Sequence, residues 1–61
     1  MNITGVRPHP TNPKYEIIFI RAQCVAPKGT LKIGDRVIVA QVESDVEGVH
    51  CDGIVASKEG T

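Results

Sequence analysis

The chain has 61 residues, 41% of them hydrophobic, and its seven Lys and Arg residues balance seven Asp and Glu residues. This length allows one domain, residues 1–61, near the lower limit at which an apolar core alone offsets chain entropy. The balanced charge disfavours nonspecific binding to polyanions without excluding it. No run approaches the roughly 20 apolar residues that span a bilayer, so we expect a cytoplasmic protein without a membrane partner.

The beginning of the chain predicts a short strand followed by an arm. Residues 2–6 suit a strand, and residues 7–13 hold three of the four prolines. Because proline fixes its own backbone and restricts the residue before it, we expect an extended arm or loop there.

The next segment predicts a strand that is buried on both faces. Residues 15–26 are rich in β-branched and aromatic side chains. Residues 17–20, at its centre, are apolar on both strand faces. Thr11 could instead cap a helix over residues 13–24, and this alternative stays open.

The middle of the chain combines two turns with the clearest strand pattern. Proline and glycine residues predict turns over residues 27–30 and 32–35. Residues 36–43 then place apolar side chains alternately on two faces, which is typical of a strand.

Residues 31–39, Leu-Lys-Ile-Gly-Asp-Arg-Val-Ile-Val, resemble the strand-initiating turn of SH3-like barrels of the KOW type. Similar turns occur in oligonucleotide-binding folds, in hydrogenase-maturation chaperones of the small-barrel type and in chaperonin-like domains of alcohol dehydrogenases. Glycine permits a left-handed turn and aspartate bonds to its own backbone, so the pattern suits a sharp start to a strand. The resemblance covers nine residues and implies an architecture, without assigning a function to any residue.

The last third predicts a hairpin and a bulged strand. Residues 44–48 close a hairpin into a strand over residues 48–57, which carries a bulge at Gly53. The Asp-Gly pair at 52–53 also fits two short strands folded back on each other. Residues 58–61 are polar, and we expect them to form a frayed tail.

These elements predict an all-β fold, a small antiparallel SH3-like barrel or half-barrel of four to five strands. The predicted core is aliphatic with two cysteines: Ile3, Val6, Ile18, Ile20, Cys24, Leu31, Ile33, Val37, Val39, Val49, Cys51 and Val55. Other apolar side chains of the long strands fall on the opposite faces, and we predict a self-association face formed by Ile17, Phe19, Ile38 and Val42. Such a second apolar face predicts a homodimer or a protein partner.

The residues that could hold a metal do not have the spacing of a zinc site. Zinc sites of small domains take ligands in close pairs, whereas His9, Cys24, His50 and Cys51 form no such pair. Because His50 and Cys51 are sequential in a strand, they point to opposite faces. We therefore expect a surface His50, two buried reduced thiols, no metal and no cofactor; whether the thiols pair stays open.

The acidic residues Glu43, Asp45, Glu47 and Asp52 cluster at the predicted hairpin end and could coordinate a hard cation, but they lack the EF-hand pattern and are interpreted as solvated. Ser44, Asp45 and Asp52 are interpreted as turn formers. No nucleophile, base and acid set is spaced for catalysis, so we expect no enzymatic activity and assign no catalytic residue.

The two-sided apolar pattern and the balanced charge favour a non-catalytic protein-binding module, in the role of a small regulator or inhibitor of a larger protein. The alternative is a nucleic-acid-binding small β-barrel. It would contact phosphates through the basic turns at Lys14, Lys28, Lys32 and Arg36.

Overall fold

A computed structural model describes residues 2–59 of the chain and contains seven strands and no helix in that range. The strands are β1 (Gly5–Pro8), β2 (Tyr15–Phe19), β3 (Gln23–Pro27), β4 (Val37–Ala40), β5 (Ser44–Val46), β6 (Val49–Cys51) and β7 (Gly53–Lys58). The predicted all-β class is confirmed, and the alternative helix over residues 13–24 is not formed. Of the predicted frayed tail, Lys58 belongs to β7, and residues 60–61 lie outside the described range.

The strands form two sheets, a large one in the order β1-β2-β3-β7-β4 and a small one made of β5 and β6. Strands β3 and β7 are parallel, whereas the other pairs are antiparallel, so the prediction of a purely antiparallel sheet was wrong at this pair. The large sheet does not close into a barrel. Its two edges meet at an isolated bridge between Asn2 and Arg36, beside which the Ile3 amide donates to the Asp35 carbonyl at 2.9 Å.

The single strand predicted over residues 15–26 is a hairpin of β2 and β3. The chain reverses at residues 20–22, where the Ile20 amide donates to the Ala22 carbonyl at 3.1 Å. Strand β1 lies beside β2 and extends into the predicted arm, since Arg7 and Pro8 pair with Ile17 and Glu16.

The strand predicted over residues 48–57 is also divided, and the predicted bulge at Gly53 is absent. Strand β6 ends at Cys51 in the small sheet, and β7 begins at Gly53 in the large one. The irregularity lies instead in the β4–β7 pair, between Ile38 and Val39. A Cβ at Gly53 would stand 2.6 Å from Val39 Cγ1, so only glycine lets β7 enter the sheet this closely.

Two apolar clusters lie on the two faces of the large sheet. Ile18 belongs to the first cluster and Ile17 to the second, and they are 0% and 4% exposed, which confirms that β2 is buried on both faces. The first cluster contains Ile3, Ile18, Ala26 and Val37, with Val6, Ile20, Leu31, Val39 and Val55 packed against it. The second contains Ile17, Val25 and Cys51, with Tyr15, Phe19, Val46 and Val49 packed against it.

Most of the predicted core is confirmed, but Ile33 is 66% exposed and was wrongly included. Ile33 lies in the loop before β4, where no strand alternation turns its side chain inward. Val25 and Ala26 are buried and were not predicted, because the hairpin turn at residues 20–22 sets the register of β3 against β2.

His9 holds the arm before β2 against the small sheet. Its side chain is buried, and Nδ1 accepts hydrogen bonds from the backbone amides of Thr11 at 3.1 Å and Asn12 at 3.0 Å. Since Nδ1 is an acceptor, the ring proton lies on Nε2, which donates to the Val46 carbonyl at 2.9 Å. The Thr11 hydroxyl adds a hydrogen bond to the Glu47 carbonyl at 2.9 Å.

Replacing His9 by alanine is expected to lower the free energy of unfolding by about 2 to 4 kcal/mol, because two amides and one carbonyl lose their partner beside a buried position. Chemical denaturation followed by circular dichroism measures the change. His50→Ala is the matched control: its side chain is 59% exposed, and we expect a change within about 0.5 kcal/mol. Equal effects of the two substitutions would contradict this role of His9.

Candidate functional site

The four residues of the predicted self-association face do not form one surface. Ile17 is 4% exposed and belongs to the second core cluster, and Phe19 packs against that cluster with the Arg7 guanidinium 5.9 Å from its ring centroid. Ile38 and Val42 are 53% and 55% exposed. Ile17 is therefore covered and Phe19 is half-buried, whereas Ile38 and Val42 are available to a partner.

An exposed apolar surface lies on the face of β4 and β7 that points away from the first core cluster. We call it the β4–β7 face and define it by Ile38, Ala40 and Ile54. Ala40 and Ile54 are register partners, and Ile54 is 40% exposed. Because Ile54 also pairs with Val25 of the second core cluster, this face continues the sheet surface that β5 and β6 cover elsewhere. Val42 lies two residues beyond Ala40.

The predicted basic residues gather at one end of the large sheet. Lys14 precedes β2 and Lys28 follows β3, and the Lys28 amide donates to the Lys14 carbonyl at 3.0 Å. Lys32 and Arg36 lie in the loop that leads into β4, at the same end. All four side chains are exposed, and Arg36 lies 3.9 Å from a carboxylate oxygen of Glu59.

The opposite end of the sheet brings Glu43, His50 and Asp52 together. One ligand atom from each residue lies within 4.8 Å of those of the other two, and all three residues are exposed. The His50 ring stands between two carboxylates, with Nδ1 3.4 Å from Asp45 Oδ1 and Nε2 3.5 Å from Asp52 Oδ1.

This cluster was not predicted, because the sequence contains no close pair of histidines or cysteines and the acidic residues were interpreted as solvated. The available signal was the spacing of His50 and Asp52, since residues two apart on an extended segment point to the same side. The predicted opposite placement of His50 and Cys51 is confirmed, because His50 is exposed and Cys51 is 0% exposed.

An open cavity of about 550 Å³ adjoins this end of the sheet. It is lined by the β2–β3 turn with Arg21, by the end of β4 with Val39, and by the carboxylate residues Glu43 and Asp52. The cavity and the histidine cluster therefore share two carboxylate side chains.

The two cysteines are free and fully buried, in agreement with the prediction of reduced thiols. Burial raises the pKa of the Cys24 thiol above its ordinary value, and the neighbouring Cys51 and Asp52 raise it further. Burial also raises the pKa of the Cys51 thiol, followed by the charges of Asp52 and Asp45. These surroundings favour the neutral thiol, which is the opposite of what an activated nucleophile needs.

Both thiols are expected to react slowly with iodoacetamide in the folded chain. At about pH 8.5 an unfolded cysteine is half ionised, while a raised folded-state pKa keeps the thiol neutral and slows alkylation at least about tenfold. Mass spectrometry of quenched samples measures the rate, with the denatured chain as control. Because folding raises the pKa of both thiols, their neutral forms contribute to the free energy of unfolding. This contribution is complete below the thiol pKa of the unfolded chain and is lost as the pH rises through the thiol pKa of the folded chain. Equal folded and denatured rates at either cysteine would contradict the burial.

No helix among the described residues has the length and apolar character needed to cross a membrane. No protein-family model, curated protein or solved structure matches the chain.

Proposed function

We propose that this chain is a non-catalytic protein-binding module that pairs with a second copy of itself through the β4–β7 face. The observation that carries the proposal is the exposure of Ile38 and Ile54 on a sheet surface that is covered elsewhere. Apolar side chains grouped on one exposed sheet face are typical of an interaction surface.

The position of β4 at the edge of the large sheet supports a second copy as the occupant. In the described part of the chain β4 is the last strand of the large sheet, and the bridge between Asn2 and Arg36 lies just before the strand begins. An edge strand can add a strand of another chain through backbone hydrogen bonds. Two β4 strands joined antiparallel would extend both sheets and bring the two β4–β7 faces side by side.

The charges around β4 favour the same antiparallel arrangement. Arg36 precedes the strand and Glu43 follows it. A twofold axis across β4 therefore brings the cationic end of each copy toward the anionic end of the other.

The predicted role as a regulator or inhibitor of a larger protein stays a prediction. The exposed apolar face supports docking to another protein surface. Pairing between copies is the part of the proposal that can be measured on the isolated chain.

Sedimentation velocity over about a hundredfold range of concentration, from micromolar upward, is expected to show the mass rising from one chain to two. Ile38→Glu should weaken the dimer at least about tenfold, since it replaces apolar cross-strand contacts beside the twofold axis with two carboxylates that repel each other. Ile38→Thr keeps the β-branched shape and should weaken it less.

Ile33→Glu is the matched control, because Ile33 is 66% exposed and lies in the loop before β4. It should leave dimer formation unchanged. All samples contain a metal chelator, and circular dichroism checks that each variant is folded. A one-chain mass across the whole range, or equal effects of the two glutamates, would overturn the proposed pairing.

A second candidate function is nucleic-acid binding through the basic end of the sheet. The supporting observation is that the topology places Lys14, Lys28, Lys32 and Arg36 at one end, although they lie far apart in the sequence. No carboxylate among the described residues forms an ion pair with Lys14, Lys28 or Lys32.

The Gly-Asp turn before β4, with its KOW-like sequence, supports an SH3-like half-barrel as the finer description of the fold.

Fluorescence anisotropy with a labelled oligo-uridine tests this candidate. Four phosphate contacts predict that log K falls with log salt with a slope of about −3. Lys28→Gln with Lys32→Gln should weaken binding and reduce the slope by about half, whereas Arg21→Gln, at the opposite end, should change neither. An affinity that does not depend on salt would remove this candidate.

A further inference from the structure

The histidine at the end of the sheet stands among carboxylates that come from separate segments of the chain. Glu43 follows β4, His50 lies in β6, and Asp52 connects β6 to β7. Their ligand atoms lie within 4.8 Å of one another, and each side chain is exposed to an ion in solution.

We propose that Glu43, His50 and Asp52 bind one divalent transition-metal ion of the Zn²⁺ class, with water completing the coordination. An imidazole with two carboxylates matches the nitrogen and oxygen ligands that Zn²⁺ accepts. Ca²⁺ and Mg²⁺ take oxygen ligands almost entirely, so the imidazole selects against them.

The spacing of the side chains suits a small ion. Zinc bonds of about 2.0 to 2.2 Å with tetrahedral angles place neighbouring ligand atoms about 3.3 Å apart. His50 Nε2 and Asp52 Oδ1 are 3.5 Å apart, near this separation. The third ligand, Glu43, has a long and exposed side chain that can close the remaining distance.

Gln23 of β3 holds both His50 and Asp52 from outside the cluster. Its backbone amide donates to Asp52 Oδ2 at 3.3 Å, which leaves Oδ1 toward the histidine. Its carbonyl accepts from the Asp52 amide at 2.8 Å, and its side-chain Nε2 donates to the His50 carbonyl at 2.7 Å. The two ligands are therefore positioned by the large sheet rather than by a free loop.

Asp45 provides a carboxylate partner for the ring nitrogen of His50 that does not bind the metal, as metal-binding histidines ordinarily have. Its Oδ1 lies 3.4 Å from His50 Nδ1, on the opposite side of the ring from Asp52. A carboxylate behind the imidazole fixes the ring and leaves Nε2 available to the metal.

A shallow depression at this place is lined by Glu43, Ser44, Asp45 and His50, so a small ion in solution can reach the cluster. Three carboxylates, those of Glu43, Asp45 and Asp52, lie around the one imidazole. They repel one another, and a divalent cation would offset that repulsion.

Isothermal titration of the metal-free, reduced chain with ZnCl₂ tests the proposal. The expected result is one ion per chain with a Kd on the order of micromolar. His50→Ala and Asp52→Asn should each weaken binding at least about tenfold, and Asp45→Asn should weaken it by about tenfold through the imidazole. Glu47→Gln, an acidic residue of the same hairpin outside the cluster, should leave the affinity unchanged.

Co²⁺ substitution and amide NMR give readouts that do not depend on the heat of binding. The Co²⁺ spectrum should lack the thiolate charge-transfer band, and the amide shifts should concentrate at residues 43–45 and 50–52. Binding that survives His50→Ala, a thiolate band, or no saturable binding at millimolar Zn²⁺ would overturn the proposal. NMR spectra of the metal-free variants show that they remain folded.

Discussion

Strands β2 and β3 carry apolar side chains on both faces, and the rest of the chain is arranged to cover them. Burying an isoleucine contributes roughly 2 to 3 kcal/mol to the free energy of unfolding. Ile17 and Ile18 are both buried, on opposite faces of one strand. The first cluster covers one side with Ile3 and Val37, and the β5–β6 hairpin covers the other with Val46 and Val49. His9 fixes that hairpin through the Val46 carbonyl.

The small size of the hairpin determines what remains exposed. With three residues in each strand, β5 and β6 cover the second face over β2 and β3 but do not extend over β7 and β4. Ile38 and Ile54 are therefore exposed by the same arrangement that buries Ile17. The hairpin also carries His50 to the sheet end, where Gln23 holds its backbone. One element thus accounts for the position of both proposed sites.

Local pattern predicted the strand content and most of the core, because alternation and β-branching reflect which side chains face inward. It could not predict the reversal at residues 20–22, since Ile20-Arg21-Ala22 contains none of the usual turn residues. The parallel β3–β7 pair could not be predicted from local sequence either, because it joins Cys24 to Gly53, which lie far apart in the sequence. The cluster of Glu43, His50 and Asp52 depends on this strand pair, because Asp52 contacts Gln23 only when β7 lies beside β3.

The central position of β7 has a consequence for how the protein is made. A ribosome adding about 5 to 20 residues per second completes β3 roughly 1 to 5 seconds before it reaches Gly53. During that interval β3 has no neighbour on its far side, and β4 has no strand to join, because both pair with β7. The chain therefore exposes unpaired strand edges until residues 53–58 are in place, and its protection against aggregation in that interval depends on how fast β7 inserts between β3 and β4.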